Sequence, residues 1–391
     1  MSLARNVDLL RRLPKLDGLR FAELGRSADS SSPLQEVTNF GDNPGALRML
    51  AFVPAQLQKP RALVVVLHGC GQTASGYDLG AGWSTLAKHY GFALLMPEQQ
   101  RINNGNTCFN WFNPEDTARD SGEARSIREM IAHMVQAHRI DQRRIFITGL
   151  SAGGGMTSVM LATYPEVFAA GAVIAGLPYG IASNLREALD GMFHSPARPA
   201  RELGDLVRNA THHRGPWPKV SVWHGSADRT VNPGNANEIV KQWLDLHDLP
   251  EVPMAETNVD GYPRQAWWNQ DGETLVESYA ITDMAHGTPL GLADNDQRYG
   301  MEGAFLIEAG ISSSYHIAKF FGLTGWIAEA APKAEAKPAT PKPALTPAPH
   351  LARSIRTAVA AQPAAAKRER TRSFDLGQII TRALTAAGLM K

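Results

Sequence analysis

One serine in this 391-residue chain stands where a hydroxyl can be made into a nucleophile: Gly149-Leu150-Ser151-Ala152-Gly153, the chain's single G-x-S-x-G. A serine hydroxyl is weakly nucleophilic at neutral pH and needs a base in reach, itself oriented by an acid. The residues before it, Arg144-Ile-Phe-Ile-Thr148, read as a strand, and Ala152 to Thr163 as a helix of small residues. Strand, sharp turn, helix is the context that turns this short pattern into a nucleophile elbow, where crowding excludes side chains two places either side of the serine. The competing reading is a glycine-rich phosphate loop. It lacks the Lys-Ser/Thr pair and the G-x-G-x-x-G spacing.

In such sites the chain order is serine, acid, histidine. Of the twelve histidines, only His247, His286, His316 and His350 leave room for an acid before them. His247 and His316 fall in predicted helices, and His350 lies in an Ala/Pro-rich stretch. His286, in Asp283-Met-Ala-His-Gly-Thr-Pro289, follows a predicted strand over Leu275 to Ile281 and is the expected base. Acids between the two include Asp190, Asp205, Asp228, Asp245, Asp248, Asp260, Asp271 and Asp283. Asp228 is the expected partner, because Gly225-Ser-Ala-Asp228 follows directly on the strand Val220 to His224. Taken alone it reads as an ordinary turn with a helix cap. Asp283, too near His286 in sequence to reach its far nitrogen easily, is the weaker alternative.

A developing oxyanion needs two backbone N–H donors, one after the nucleophile and one from the loop after an early strand. Ala152 and Cys70 fill these roles; Cys70 lies in His68-Gly69-Cys70-Gly71, which ends the apolar run Leu63 to Leu67. His68 reads as a structural hydrogen-bonding residue rather than a second base. Asp120 and Glu123 read as a capping arrangement for the helix that runs to His138, not as a second acid pair. Trp111, Trp267 and Trp268 are candidates to line a substrate groove, though each reads equally as core.

Positioning these groups requires several strands with a common direction. Unbroken apolar runs at Leu63–Leu67 and Phe92–Met96 (stopped by Pro97), with Ala46–Val53, Ala170–Ala175, Val220–His224 and Leu275–Ile281, read as strands. Helical stretches at Trp83–His89, Asp120–His138, Ala152–Thr163 and Asn235–Leu246 fall between them. Alternation of this kind predicts an α/β fold with a mainly parallel central sheet covered on both faces, and the elbow makes it an α/β-hydrolase fold. The expected organisation is a polar N-terminal extension (1–43), a catalytic domain (44–326), a disordered Ala/Pro/Lys linker (327–372) and a short amphipathic helix (373–391).

The bulk chemistry narrows the partners. A net charge of +1 gives no electrostatic case for nucleic acid or an anionic membrane. No apolar run reaches the roughly 18 residues of a membrane span, and no signal-peptide core is visible at the N-terminus. At face value the chain stays in the cytoplasm. Two cysteines, Cys70 and Cys108, are too few for a disulfide-built scaffold or a thiolate metal site.

Four ordered motifs together, Leu67-His-Gly-Cys-Gly-Gln-Thr-Ala74, Met96-Pro-Glu-Gln99, Cys108-Phe-Asn-Trp-Phe112 and Gly149-Leu-Ser-Ala-Gly-Gly-Gly-Met156, resemble the polyhydroxybutyrate depolymerase family of esterases, related to feruloyl and acetylxylan esterases. The likeness runs from about residue 45 to 322. It implies a triad of Ser151, Asp228 and His286, oxyanion donors at Cys70 and Ala152, and a Cys70–Cys108 disulfide bracing the oxyanion loop. It implies no metal and no organic cofactor. The expected substrates are short 3-hydroxyalkanoate esters or oligomers, with feruloyl or acetylxylan esters as the alternative. The rival class is a non-catalytic member whose C-terminal helix contacts a polymer granule. Extracellular members of the family carry a signal peptide and a polymer-binding domain beyond the linker, where this chain has only a short helix.

Overall fold

The computed structural model describes residues 32–325 apart from Pro60. The expected linker (327–372) and C-terminal helix (373–391) lie outside the described residues, as does most of the N-terminal extension. Ten strands form one sheet: β1 (Gln35–Val37), β2 (Arg48–Phe52), β3 (Leu63–Leu67), β4 (Ala93–Glu98), β5 (Ile145–Leu150), β6 (Ala170–Ile174), β7 (Lys219–Gly225), β8 (Ala255–Val259), β9 (Tyr262–Trp268) and β10 (Thr274–Ile281). Their spatial order is β1-β2-β4-β3-β5-β6-β7-β10-β9-β8. From β4 to β10 all neighbours are parallel. The outer strands, β1 and β2 at one edge and β9 and β8 at the other, are antiparallel. A separate two-stranded ladder pairs β11 (Thr288–Leu290) with β12 (Leu306–Glu308).

The helices are α1 (Ala74–Ala81), α2 (Trp83–Tyr90), α3 (Pro114–Thr117), α4 (Gly122–His138), α5 (Ala152–Thr163), α6 (Leu185–His194), α7 (Ala200–Ala210), α8 (Gly234–Leu246) and α9 (Ser313–Phe320). Alternate strand residues feed two cores. Leu63, Val65, Leu67, Ile147 and Val222 pack with Ile127, Met130, Val159, Ile239 and Trp243 of α4, α5 and α8. Val64, Val66, Phe146 and Trp223 pack with Tyr77, Leu86 and Ile317 of α1, α2 and α9. Burial on both faces is why the central strands are unbroken apolar runs rather than alternating ones. No helix among the described residues is long and apolar enough to cross a membrane.

Three departures from the sequence reading have local causes. Pro97 does not stop β4, which continues to Glu98. Pairing with β3 ends at Leu95, so Pro97 has a strand neighbour, β2, on one side only, where a missing N–H is tolerated. Residues 35–37, assigned to the polar extension, pair with β2 as an edge strand of three residues, too short to show a period. The β8–β9 hairpin was not expected at all; it turns at Asp260-Gly261, both at positive φ, as a two-residue primed turn requires.

Candidate active site

Ser151 sits where β5 meets α5, at φ 57° and ψ −118°, a sparsely populated conformation for a residue with a Cβ. It is held there by Ser151 N–H donating to Ile174 O of β6 at 2.9 Å and by Gly155 N–H donating to Ser151 O at 2.8 Å. The flanking glycines are obligatory. A Cβ on Gly149 would lie 2.3 Å from Gly153 O, and one on Gly153 would lie 2.5 Å from His68 O. The elbow therefore packs directly on the end of β3, where the His68–Gly71 loop begins.

Asp228 and His286 come from the loops after β7 and β10, parallel neighbours whose carboxyl ends share the rim that carries Ser151. The two loops are stitched together: Ser226 N–H donates to Ile281 O at 2.9 Å, and Ala227 N–H to Met284 O at 3.0 Å. Across this seam His286 Nδ1 lies 2.7 Å from Asp228 Oδ2. The other carboxylate oxygen, Oδ1, accepts from the Thr230 and Val231 amides at 2.8 and 3.0 Å. A fourth partner, missed in the sequence, is His224 of β7, with Nε2 3.1 Å from Oδ2. Burial by itself would raise the Asp228 carboxyl; the hydrogen bonds from His224 and His286 outweigh it and hold the group well below the usual carboxylate range. Asp283 takes no part: it is exposed, and its amide donates to Ser226 Oγ.

His286 is buried, with Phe305 edge-on at 5.7 Å. Among the described residues no hydrogen bond joins the Ser151 hydroxyl to His286. The Gly69 amide is taken by Gln72 Oε1 and the Gly71 amide by Asn106 O. The Cys70 amide between them, like that of Ala152 at the start of α5, donates to no backbone acceptor among the described turn and loop bonds. Two unspent N–H groups thus flank the serine's strand end, one at the positive end of a helix.

A family profile described as "Esterase PHB depolymerase" matches residues 48–258. The chain belongs to this esterase family. The poly(3-hydroxyalkanoate) depolymerase C of Paucimonas lemoignei is 44% identical over 303 residues, covering 77% of this chain and 73% of that protein. Feruloyl esterase B of Neurospora crassa is 34% identical, over 66% of this chain and 88% of its own. The acetyl xylan esterase structure from Aspergillus awamori superposes with TM-score 0.62 at 25% identity, spanning 74% of this chain and 99% of that one. The protein is a carboxylic ester hydrolase with an α/β-hydrolase fold.

In the esterase His68 is fully buried, with Nδ1 2.8 Å from Gly69 O and Nε2 accepting the Gln99 amide at 3.1 Å. Burial pushes it down to about 4, so it is a neutral strut under the His68–Gly71 loop. Cys70 and Cys108 are joined as a disulfide across 38 residues, tying that loop to the segment after β4. Cys108→Ser is expected to lower the unfolding free energy by about 2–4 kcal/mol, the usual scale for a loop of this length. Reversible urea unfolding of oxidised wild type and variant measures it.

Trp111 lies against the first turn of α5: a Cβ on Gly155 would meet its indole at 2.7 Å. It is the one tryptophan of the three placed beside α5. Trp267 and Trp268 end β9, paired with Val276 and Thr274 at the start of β10, the end of that strand opposite the His286 loop. Trp267 is core, its indole N–H donating to Val252 O. Neither lies at the rim that carries Ser151; antiparallel pairing places them at the opposite end of the strands.

The capping arrangement expected at Asp120 and Glu123 does not form. Ser121 is the N-cap residue and makes no side-chain cap bond. Asp120 instead accepts from Tyr164 Oη at 3.2 Å. Glu123 points inward, accepting from Gln99 Nε2, Asn110 Nδ2 and the Asn110 amide at 2.5, 2.7 and 2.9 Å. Gln99 also donates to Cys108 O, so Glu123 anchors the disulfide segment. Burial first, then nearby Asp116, pushes Glu123 up to about 8. A carboxyl raised on folding binds its proton more tightly in the folded chain, so its contribution is complete below about pH 4 and lost as pH rises toward 8. Glu123→Gln is expected to remove from the stability profile a fall of about 1 kcal/mol per pH unit in that window. Urea midpoints of both proteins at pH 5, 6.5 and 8 read the slope; equal slopes reject the assignment.

Proposed function

We propose that Ser151, Asp228 and His286 hydrolyse esters through an acyl-enzyme. The supporting observation is the 2.7 Å contact between His286 Nδ1 and Asp228 Oδ2, on the same rim as the strained elbow. Asp228 holds the imidazole with its proton on Nδ1 and Nε2 free to accept. Ser151 Oγ attacks the ester carbonyl as its proton passes to His286 Nε2. The amides of Cys70 and Ala152 hold the oxyanion. Collapse expels the alcohol, which takes the proton from His286, and water repeats the sequence to release the acid.

The substrate class we infer is short 3-hydroxyalkanoate esters and oligomers. Its support is likeness: the relative named a poly(3-hydroxyalkanoate) depolymerase is 44% identical, whereas the feruloyl and acetylxylan esterases stand at 34% and 32%. A panel of 3-hydroxybutyrate oligomers, methyl ferulate and acetylated xylan tests it. The oligomers are expected to show the highest kcat/KM by at least about tenfold, a difference of about 1.4 kcal/mol in transition-state binding. A preference for either plant-type ester rejects the substrate reading and leaves ester hydrolysis standing.

A further inference from the structure

We propose that His224 is a positioning residue for Asp228, a second, neutral imidazole that donates to the carboxylate oxygen used by His286. The inference rests on the triad reading above and extends it.

His224 Nε2 faces two acceptors, Asp228 Oδ2 at 3.1 Å and Val231 O at 3.0 Å. A nitrogen between two acceptors must carry the proton. Nδ1 on the same ring is buried without a partner. A proton there would make an unpaired buried N–H and a buried cation, both costly. The ring therefore rests as the neutral Nε2–H tautomer, the mirror of His286, which presents Nδ1–H to the same oxygen at 2.7 Å.

With His224 in place every lone pair of Asp228 has a donor: two imidazoles on Oδ2, two backbone amides on Oδ1. The carboxylate cannot rotate without breaking bonds on both oxygens. Three of these donors belong to loops, but His224 belongs to the sheet, in register with Ala280 of β10. It is the side-chain connection between the carboxylate in its loop and the strand beside it, next to the backbone bond from the Asp228 amide to Gly225 O. It also holds Val231 O, fixing the turn that carries the two amides. The expected function is to keep Oδ2 aimed at His286 through the reaction, which acts on kcat and leaves substrate affinity alone.

The test compares His224→Leu with His224→Gln, whose side-chain N–H reaches the place of Nε2, in the full chain with a p-nitrophenyl short-chain ester. His224→Leu is expected to lower kcat about 10- to 100-fold with KM within about twofold, and Gln to recover most of the loss. Equal losses in both variants, or no loss in Leu, overturn the proposal. Nitrogen NMR of labelled wild type needs no variant to fold: a His224 ring protonated at Nε2 alone supports the proposal, and one bare at Nε2 overturns it. Ser151→Ala run alongside separates the cases. If it retains wild-type activity the triad reading has failed, whatever His224 does.

Discussion

Ser151→Ala is expected to lower kcat for ester hydrolysis about 10⁵- to 10⁶-fold while leaving the fold intact, the scale seen when a triad nucleophile is removed. The substitution deletes one oxygen and nothing that holds the elbow. The bonds that pin residue 151 are backbone bonds, Ser151 N–H to Ile174 O and Gly155 N–H to Ser151 O, and alanine keeps both. The hydroxyl itself has no described hydrogen-bond partner, so its loss leaves no buried group unsatisfied. The backbone conformation at φ 57° costs the same with either side chain. Melting temperature is therefore expected to stay within about 2 °C, since a change below 0.5 kcal/mol moves it by little in a domain this size. Labelling by a fluorophosphonate should disappear with activity. Wild-type rates on a p-nitrophenyl ester from a folded alanine variant would end the case for Ser151.

Asp228→Asn is expected to cost about 10³- to 10⁴-fold in kcat, through a tautomer rather than through charge alone. Asparagine can present its oxygen to the Thr230 and Val231 amides, as Oδ1 does now. Its NH₂ then meets two ring N–H groups, those of His286 and His224. His286 escapes the clash by moving its proton to Nε2, which leaves no lone pair facing Ser151. KM should change little, because the acid touches no substrate. Stability should fall by about 1–3 kcal/mol at neutral pH, the usual consequence of a mismatched buried group. Because the Asp228 carboxyl is held low in the folded chain, its contribution is present above the ordinary carboxylate value and lost only as pH falls well beneath it. The stability gap between variant and wild type should accordingly close in strong acid. Unchanged kcat from a folded Asn variant would reject Asp228 as the orienting acid.

Both variants change residues that stand out as candidates in the sequence, and for a definite reason. The elbow is a local backbone constraint: two close approaches, Gly149 to Gly153 O and Gly153 to His68 O, demand glycine at two fixed places, and such demands are written in consecutive letters. Asp228 and His286 were placed by the same logic, since an end-of-strand acid and an end-of-strand histidine each follow an apolar run. The hairpin at Asp260-Gly261 carried an equally local signal, an Asp-Gly pair between short strands, masked by the polar character of β8.

Other assignments depended on which distant segments share an edge or a cavity. Glu123 followed a helix-start pattern, yet tertiary packing turned it toward Gln99 and Asn110, 24 and 13 residues away. Nothing in its neighbours along the chain distinguishes a capping carboxylate from a buried anchor. Trp267 and Trp268 were reasonable candidates by residue type. The antiparallel register of β9 on β10 puts them at the end of the strands away from His286.

The parallel core strands, the elbow and the end-of-strand positions of Asp228 and His286 are written in the chain itself, because backbone sterics and two-sided burial act within a few residues. Three-dimensional packing alone brings two histidines onto one oxygen of Asp228, turns Glu123 toward the disulfide segment and sets Trp111, rather than Trp267 or Trp268, against α5. Those outcomes depend on strand order and loop-to-loop hydrogen bonds between residues far apart in the chain, and no local pattern records a partner's direction of approach.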